Sequence, residues 1–161
     1  LAKFSISVWA KASITSGPNV IINKSAGGGG PYQWSIGINN GFADGAFFTD
    51  TVATNYIQLR QQINANQWYH LVLVFDGSLQ ESERLKFSIN GKSDSVFVYA
   101  KVGTIGTSTT NSQQQITIGA THDPGNPQSI ASPFTGIIDE IRIYDRVLSV
   151  SEIQFLYEAA N

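Results

Sequence analysis

Short β-patterned runs recur along the whole chain, and turn-forming residues separate them. Residues 4–10 (FSISVWA) alternate apolar and polar side chains, and residues 68–77 (WYHLVLVFDG) are apolar on both faces. About nine such runs follow one another at near-regular spacing, which is typical of an antiparallel sandwich rather than of a parallel α/β sheet. The sequence therefore predicts an all-β fold in which residues 68–77 form a central strand covered on both sides.

Two local signals predict how particular elements begin and end. Asn90-Gly91 tolerates positive φ, so LKFSINGK and the following DSVFVYA are predicted to form a hairpin. Near the C-terminus, Ser149 and Glu152 have the spacing of a capping box. A short terminal helix is therefore expected to dock on the sandwich. Its predicted apolar face consists of Ile153, Leu156 and Tyr157.

The length and charge of the chain limit its partners. With 161 residues, of which 42% are hydrophobic, the chain can form one domain with a substantial core, and we expect a single domain over residues 1–161. The net charge of -2 is spread without blocks of like sign, which argues against nucleic acid or an anionic membrane as a partner. No apolar run approaches the roughly 20 residues of a membrane span, so membrane insertion is not expected.

Residue usage indicates the setting in which the chain works. It contains no methionine, and we expect a mature or excised domain of a larger, multidomain protein. It also contains no cysteine, which excludes disulfides and thiolate metal sites. Low charge with abundant Ser, Thr, Asn, Gln and Gly favours an extracellular protein, secreted or on the cell surface.

Three segments in this order carry a resemblance to a known family. They are FSISVWA, then NQWYHLVLVFDGS followed by LKFSINGK, and finally ITIGA followed by FTGIIDEIRIYDRVLSVSEIQFLYE. Together they resemble the laminin G-like modules of the concanavalin A-like lectin/glucanase superfamily over residues 4–157. The resemblance implies a jelly-roll sandwich of two antiparallel sheets in a secreted or surface protein. It also implies that the chain binds a glycan or a surface protein, often with a structural calcium ion.

The last β-patterned segment places a carboxylate among isoleucines. Strand alternation puts Asp139 on an apolar face, whereas Glu140 and Arg142 face the other way as a surface pair. A buried carboxylate needs backbone NH groups, a cation or a metal. We therefore consider Asp139 a calcium ligand whose other oxygens come mainly from backbone carbonyls. The alternative is that it accepts backbone NH bonds or pairs with Arg142 or another cation. The predicted apolar face consists of Ile137, Ile141 and Ile143.

Residues 32–44 combine aromatic, amide and acid side chains. Sugar rings stack on aromatic faces while amide and acid groups bond their hydroxyls, so this segment is a candidate glycan platform. Trp34 is excluded from it, because a large aromatic side chain inside a strand is usually buried. The alternative is that the other aromatics also fill the core. The candidate ligand-binding residues are Tyr32, Asn39, Asn40 and Asp44.

Histidines occur at two places in the sequence. The segment THDPGNPQSIASP is rich in turn formers, and its His122, Asp123 and Asn126 are a candidate set for contacting a ligand or a metal. The alternative interpretation of this segment is a solvated connecting loop. His70 lies within the apolar run at residues 68–77, where packing in the core is expected rather than catalysis.

The acids of the chain do not have the pattern of a glycosidase. Such enzymes on this fold use alternating acids on one strand face, whereas Asp139 and Glu140 are adjacent and point apart. No GxSxG motif occurs, and two histidines without cysteine give no closed zinc set. The sequence therefore predicts a non-catalytic binding module for carbohydrate, with a structural or protein-interaction domain as the alternative. An exposed aromatic beside amide or acid groups favours the first, and an open apolar sheet edge favours the second.

Overall fold

A computed structural model describes residues 1–25, 32–49, 54–109, 115–123 and 126–159. These residues form twelve strands, a short 3-10 turn at Glu81–Glu83 and one α-helix. The strands are β1 (Lys3–Ala12), β2 (Pro18–Ser25), β3 (Tyr32–Asn39), β4 (Phe42–Phe48), β5 (Tyr56–Gln62), β6 (Trp68–Asp76), β7 (Leu85–Ile89), β8 (Phe97–Val102), β9 (Ile116–Ile118), β10 (Thr121–Asp123), β11 (Asn126–Ala131) and β12 (Gly136–Tyr144), and the helix is α1 (Val150–Glu158).

Two large antiparallel sheets form the body of the molecule. Their strand orders are β12-β1-β6-β7 and β8-β5-β4-β3-β2-β9. A third, two-stranded sheet pairs β10 with β11, and β10 lies beside β2 and β9. The predicted all-β sandwich of two antiparallel sheets with a short C-terminal helix is confirmed.

The main core lies between the two large sheets and is filled by alternate residues of their strands. In β6, Leu71, Leu73 and Phe75 face this core, whereas Val72 and Val74 pack on the opposite side of the sheet. Each such side chain contributes about 1.5–3 kcal/mol when it is fully buried. The strand is internal to its sheet and covered on both faces, as predicted.

The helix α1 covers the outer face of the four-stranded sheet. The Ser149 hydroxyl accepts the backbone NH of Glu152 at 3.3 Å, and the Glu152 carboxylate accepts the backbone NH of Ser149 at 2.8 Å. This capping box satisfies NH groups that the first helical turn leaves unpaired. Ile153 then packs with Val72 and Val74 in a second, smaller cluster. The predicted helix and its cap are confirmed.

The Asn90-Gly91 turn forms, but the strand that follows it does not pair with β7. Asn90 and Gly91 have φ values of 52° and 76°, and a single bridge joins Ile89 to Lys92 across the turn. The next strand, β8, crosses to the other sheet and pairs with β5. The hairpin prediction is therefore wrong in its second strand, because a turn signal reports local geometry and not the distant partner.

Strand β12 contains a bulge that changes which side chains share a face. Ser7 pairs with Arg142 and Trp9 with Asp139, so two residues of β12 lie opposite one residue of β1. Glu140 is at the bulge and has a φ of 52°. Beyond a bulge the alternation of faces is shifted by one residue. Consequently Ile138 and Ile141, three apart, both pack against the main core.

Candidate functional site

A shallow depression lies on the outer face of the six-stranded sheet. In β3 the core residues alternate with small or polar ones that face outward, and the latter form its floor. A Cβ atom at Gly37 would lie 2.9 Å from the carbonyl oxygen of Asn19, so this floor position has no room for a side chain. The depression has a volume of about 100 Å³, and its lining includes Pro18, Asn19, Ser35, Gly37, Asn39, Asp44 and Gln58.

Asp44 and Arg60 form a buried ion pair beside this depression. They are opposite each other on β4 and β5, and only 7% and 8% of their surfaces are exposed. The Arg60 Nη2 donates to Asp44 Oδ2 at 3.0 Å, and Arg60 Nε contacts Asp44 Oδ1. Burial raises the pKa of the Asp44 carboxyl to about 6, because lost hydration outweighs the opposing hydrogen bonds and charge of Arg60.

An exposed aromatic ring lies against Arg60. The Cζ atom of Arg60 is 3.5 Å from the centroid of the Tyr99 ring and 6.0 Å from that of Phe42. Tyr99 is nevertheless 56% exposed, so the guanidinium covers only part of its ring. The pairing of β5 with β8 is irregular just here, between Gln58 and Leu59. The site thus combines an exposed ring, held by a cation–π contact, with polar side chains at the depression.

The structure brings together two of the four residues predicted around positions 32–44. Asn39 and Asp44 both line the depression. Asn40 instead belongs to the β3–β4 turn, where its φ is 49° and its side-chain oxygen accepts the backbone NH of Gly17 at 3.0 Å. Tyr32 begins β3, but its side chain is outside the described part of the structure. Trp34 is buried in the core, as expected.

The candidate set at residues 122–126 lies on a hairpin and not on an open loop. His122 and Asp123 are on β10, and Asn126 begins β11. His122 is half-buried and Asn126 is exposed, whereas the side chain of Asp123 is outside the described part. The hairpin packs beside β2, whose Pro18 and Asn19 line the depression. A ligand-binding role for these three residues stays a prediction.

Sequence reasoning missed Arg60, Gln58 and Tyr99. The alternation in β5 could have indicated the first two, because Ile57 and Leu59 are apolar while Gln58 and Arg60 face the other way. Tyr99 gave no such signal, since the irregular pairing of β8 interrupts the alternation of its faces.

Asp139 is exposed, which corrects the interpretation of β12. Because of the bulge it does not share a buried face with Ile141, and Ile137 and Ile143 are themselves about half exposed, at 55% and 46%. The Asp139 side chain accepts the backbone NH of Glu140 at 2.8 Å. The described residues contain no group of three or more His, Cys, Asp or Glu side chains placed to hold a metal. Because the Asp139 carboxylate is exposed, it does not need a metal ion to compensate a buried charge. A calcium ion at Asp139, held mainly by backbone carbonyls, stays a prediction.

Two further predictions about charged and titratable residues are confirmed. Glu140 and Arg142 form an exposed ion pair. His70 is fully buried, and its Nε2 lies 2.8 Å from the Ser7 hydroxyl. Burial, and secondly the charge of Arg142, lowers the pKa of His70 to about 4. Its ring stacks on Trp9 with centroids 5.2 Å apart, as expected for a histidine packed in the core.

Within the described residues, no helix has the length and hydrophobicity that crossing a lipid bilayer requires.

The sequence matches the family Laminin_G_3, described as the Concanavalin A-like lectin/glucanases superfamily, over residues 1–154. The chain belongs to this family, as the three segments of its sequence indicated. A comparison with curated proteins gives no match.

Solved structures share the fold at low sequence identity. Domain 4 of AbnA, a GH43 extracellular arabinanase from Geobacillus stearothermophilus in complex with arabinotriose, is 20% identical with a TM-score of 0.65, and the match covers 97% of this chain and 66% of that one. The binding domain of botulinum neurotoxin DC in complex with SialylT is 18% identical with a TM-score of 0.65, over 99% of this chain and 36% of that one. The botulinum neurotoxin serotype C1 binding domain is 15% identical with a TM-score of 0.63, and the match covers 99% of this chain and 37% of that one. The chain thus spans little more than a third of the toxin domains it matches.

Proposed function

We propose that this chain is a non-catalytic carbohydrate-binding module whose ligand lies on the outer face of the six-stranded sheet. The observation that carries the proposal is the exposed ring of Tyr99, held against Arg60 beside a depression lined by Asn39, Asp44 and Gln58. An aromatic ring offers a sugar an apolar face, and the amide and acid groups offer partners for its hydroxyls. The arabinotriose and SialylT complexes of proteins with this fold support the same class of ligand.

The proposal of a binding role rests on the arrangement of the acids. Glycoside hydrolysis uses two carboxyl groups about 5–9.5 Å apart on either side of the bond. Asp44 is the one carboxylate among the described residues that line the depression, and it is paired with Arg60. We propose further that the module belongs to a larger extracellular protein, as Domain 4 does in the arabinanase.

A second candidate function is a protein-interaction domain of a surface protein or fibre. The observation that favours it is that β9 and β12, which are edge strands of the two described sheets, expose isoleucines. Ile116 and Ile143 line one cavity there. Exposed apolar residues on sheet edges are common features of protein contact surfaces. The exposed residues are Ile116, Ile118, Ile137 and Ile143.

The test is an oligosaccharide array, run with and without calcium, followed by titration calorimetry with the best ligand. Tyr99→Ala should weaken binding about 2- to 12-fold, since an aromatic contact of this kind contributes roughly 0.5–1.5 kcal/mol. Val98→Ala is the matched control, because Val98 is equally exposed on β8 but pairs with the core residue Leu59. Equal losses for both variants would contradict the proposed site. Binding to no glycan on the array would contradict the function and leave the protein-interaction hypothesis preferred.

A further inference from the structure

A second groove lies where the β7–β8 connection, β5 and α1 meet. It has a volume of about 300 Å³, at the lower end of the range for small-molecule pockets. None of its residues lines the depression on the outer sheet face, so the two are separate features. The polar and aromatic residues around it are Gln61, Asn90, Lys92, Asp94, Ser95 and Tyr157.

The walls of this groove are fixed by contacts that do not involve any ligand. The Asn90 side chain accepts the backbone NH of His70 at 2.9 Å, and the Asn90 NH donates to the His70 carbonyl at 2.8 Å. On the helix side, the Tyr157 ring stacks on Trp9 with centroids 5.7 Å apart. Gly91 lies against the same ring, because a Cβ atom there would be 3.4 Å from it. A site held in this way loses little entropy when a ligand binds.

The polar groups facing this groove are available for a ligand. Within the described part of the chain, the side chains of Gln61, Lys92, Asp94 and Ser95 make no hydrogen bond or ion pair. Lys92 and Asp94 supply one charge of each sign, so the groove favours a ligand without net charge. An amide, a carboxylate and a hydroxyl together offer donors and acceptors for neighbouring hydroxyl groups.

We propose that this groove is a second binding site for a neutral saccharide. Gln61 and Asp94 bond ligand hydroxyls from two sides, and Tyr157 forms the apolar wall. The inference extends the proposed carbohydrate-binding function from one site to two, but it rests on different residues. A module with two sites gains affinity for a long or branched glycan, because the second contact is made within one complex.

The test is NMR titration of the isotope-labelled chain with three neutral trisaccharides, namely arabinotriose, cellotriose and maltotriose. At least one should shift the backbone amide signals of Asn90, Gly91 and Ser95. Gln61→Ala and Asp94→Ala should each weaken this response about 2- to 12-fold, as expected for loss of one hydrogen-bonding group. Gln62→Ala is the matched control, because Gln62 is the exposed neighbour on β5 and does not line the groove.

In the same spectra, the amide signals of Gly37 and Ala46 report ligand binding at the outer sheet face. The two proposed sites are therefore tested independently. The second site is overturned if none of the three trisaccharides shifts the signals of residues 90–95. It is also overturned if those shifts persist in the Gln61→Ala/Asp94→Ala double variant. In the Tyr99→Ala variant, two independent sites would be supported if the amide signals of residues 90–95 still shifted while the signal of Gly37 no longer did. A thermal melt of each variant verifies that it is folded.

Discussion

Asp44 and His70 are buried titratable side chains whose proton affinities change on folding in opposite directions. Burial raises the pKa of Asp44 to about 6 and, together with the charge of Arg142, lowers that of His70 to about 4. Between about pH 4 and 6 the folded chain keeps a proton on Asp44 that the unfolded chain releases, so this residue lowers stability as pH rises. His70 acts in the opposite direction and raises stability as pH rises, because in this range the unfolded chain binds a proton at His70 that the folded chain does not.

Asp44→Asn should uncover the contribution of His70. The variant should become more stable as the pH rises from about 4 to about 6, whereas the wild type should change much less because its two contributions oppose each other. The difference between the two profiles should be on the order of 2–3 kcal/mol. Urea unfolding across this pH range measures it. Ser93→Ala is the control, since it removes no titratable group from an exposed position and should leave the pH dependence unchanged. Identical profiles for wild type and Asp44→Asn would contradict the prediction.

For individual residues, the chemistry of the side chains was predictable from the sequence, but the face of the sheet on which each side chain lies was less so. Asn39 and Asp44 were identified as hydrogen-bonding groups near one another, and they share the depression. Asp139 was assigned to the wrong environment, because alternation holds only in a strand without a bulge. Tyr99 was missed for the same physical reason in β8.

Among the elements, the helix α1 shows how a local signal supports a tertiary contact. Ser149→Ala removes the side-chain half of the capping box and should lower the free energy of unfolding by about 0.5–2 kcal/mol. Arg146 and Ser149 lower the pKa of Glu152 to about 2, so the cap should be intact at pH 5 as well as at pH 7. Chemical denaturation at both pH values measures the loss.

Ser93→Ala is the control for the cap, because Ser93 is an exposed serine outside the helix. Its backbone carbonyl, which the substitution leaves in place, accepts the NH of Val96. A loss of the same size in this variant, or no loss in Ser149→Ala, would mean that the cap does not stabilise the docked helix.

Elements defined by neighbouring residues were predictable, whereas pairings between distant ones were not. The capping box and the apolar run of β6 lie within a few residues, and both were correctly identified. β4 was not identified, because its sequence FADGAFF contains alanine, aspartate and glycine, which are depleted in strands. The pairing of β8 with β5 joins residues about 40 positions apart, and nothing in either strand specifies it.

For the molecule as a whole, calcium binding stays a prediction from the sequence. An ion that binds only the folded chain should raise its stability by roughly 2.7 kcal/mol at about 100 times the dissociation constant. Thermal unfolding in chelator and in millimolar calcium measures this gain. If Asp139 is a ligand, Asp139→Asn should largely remove the gain, whereas Glu140→Gln should keep it.

Two outcomes of this experiment would contradict calcium binding at Asp139. Equal melting temperatures in chelator and in calcium would contradict calcium binding. A gain that survives Asp139→Asn would place the ion elsewhere in the molecule. The Asp139→Asn variant is informative because Asp139 is exposed, so the substitution leaves no buried group without a partner.

The bulge at Glu140 also bears on how copies of the molecule behave at high concentration. Among the strands that the structure describes, β12 is the last of its sheet, and one row of its backbone groups has no described strand beside it. A regular apolar edge of this kind invites strand-to-strand aggregation, and Ile137 and Ile143 are exposed along it. The bulge distorts that row, and the charges of Glu140 and Arg142 flank the distortion. The feature that misleads a prediction of faces from sequence should therefore also disfavour strand-to-strand contacts between copies of the chain.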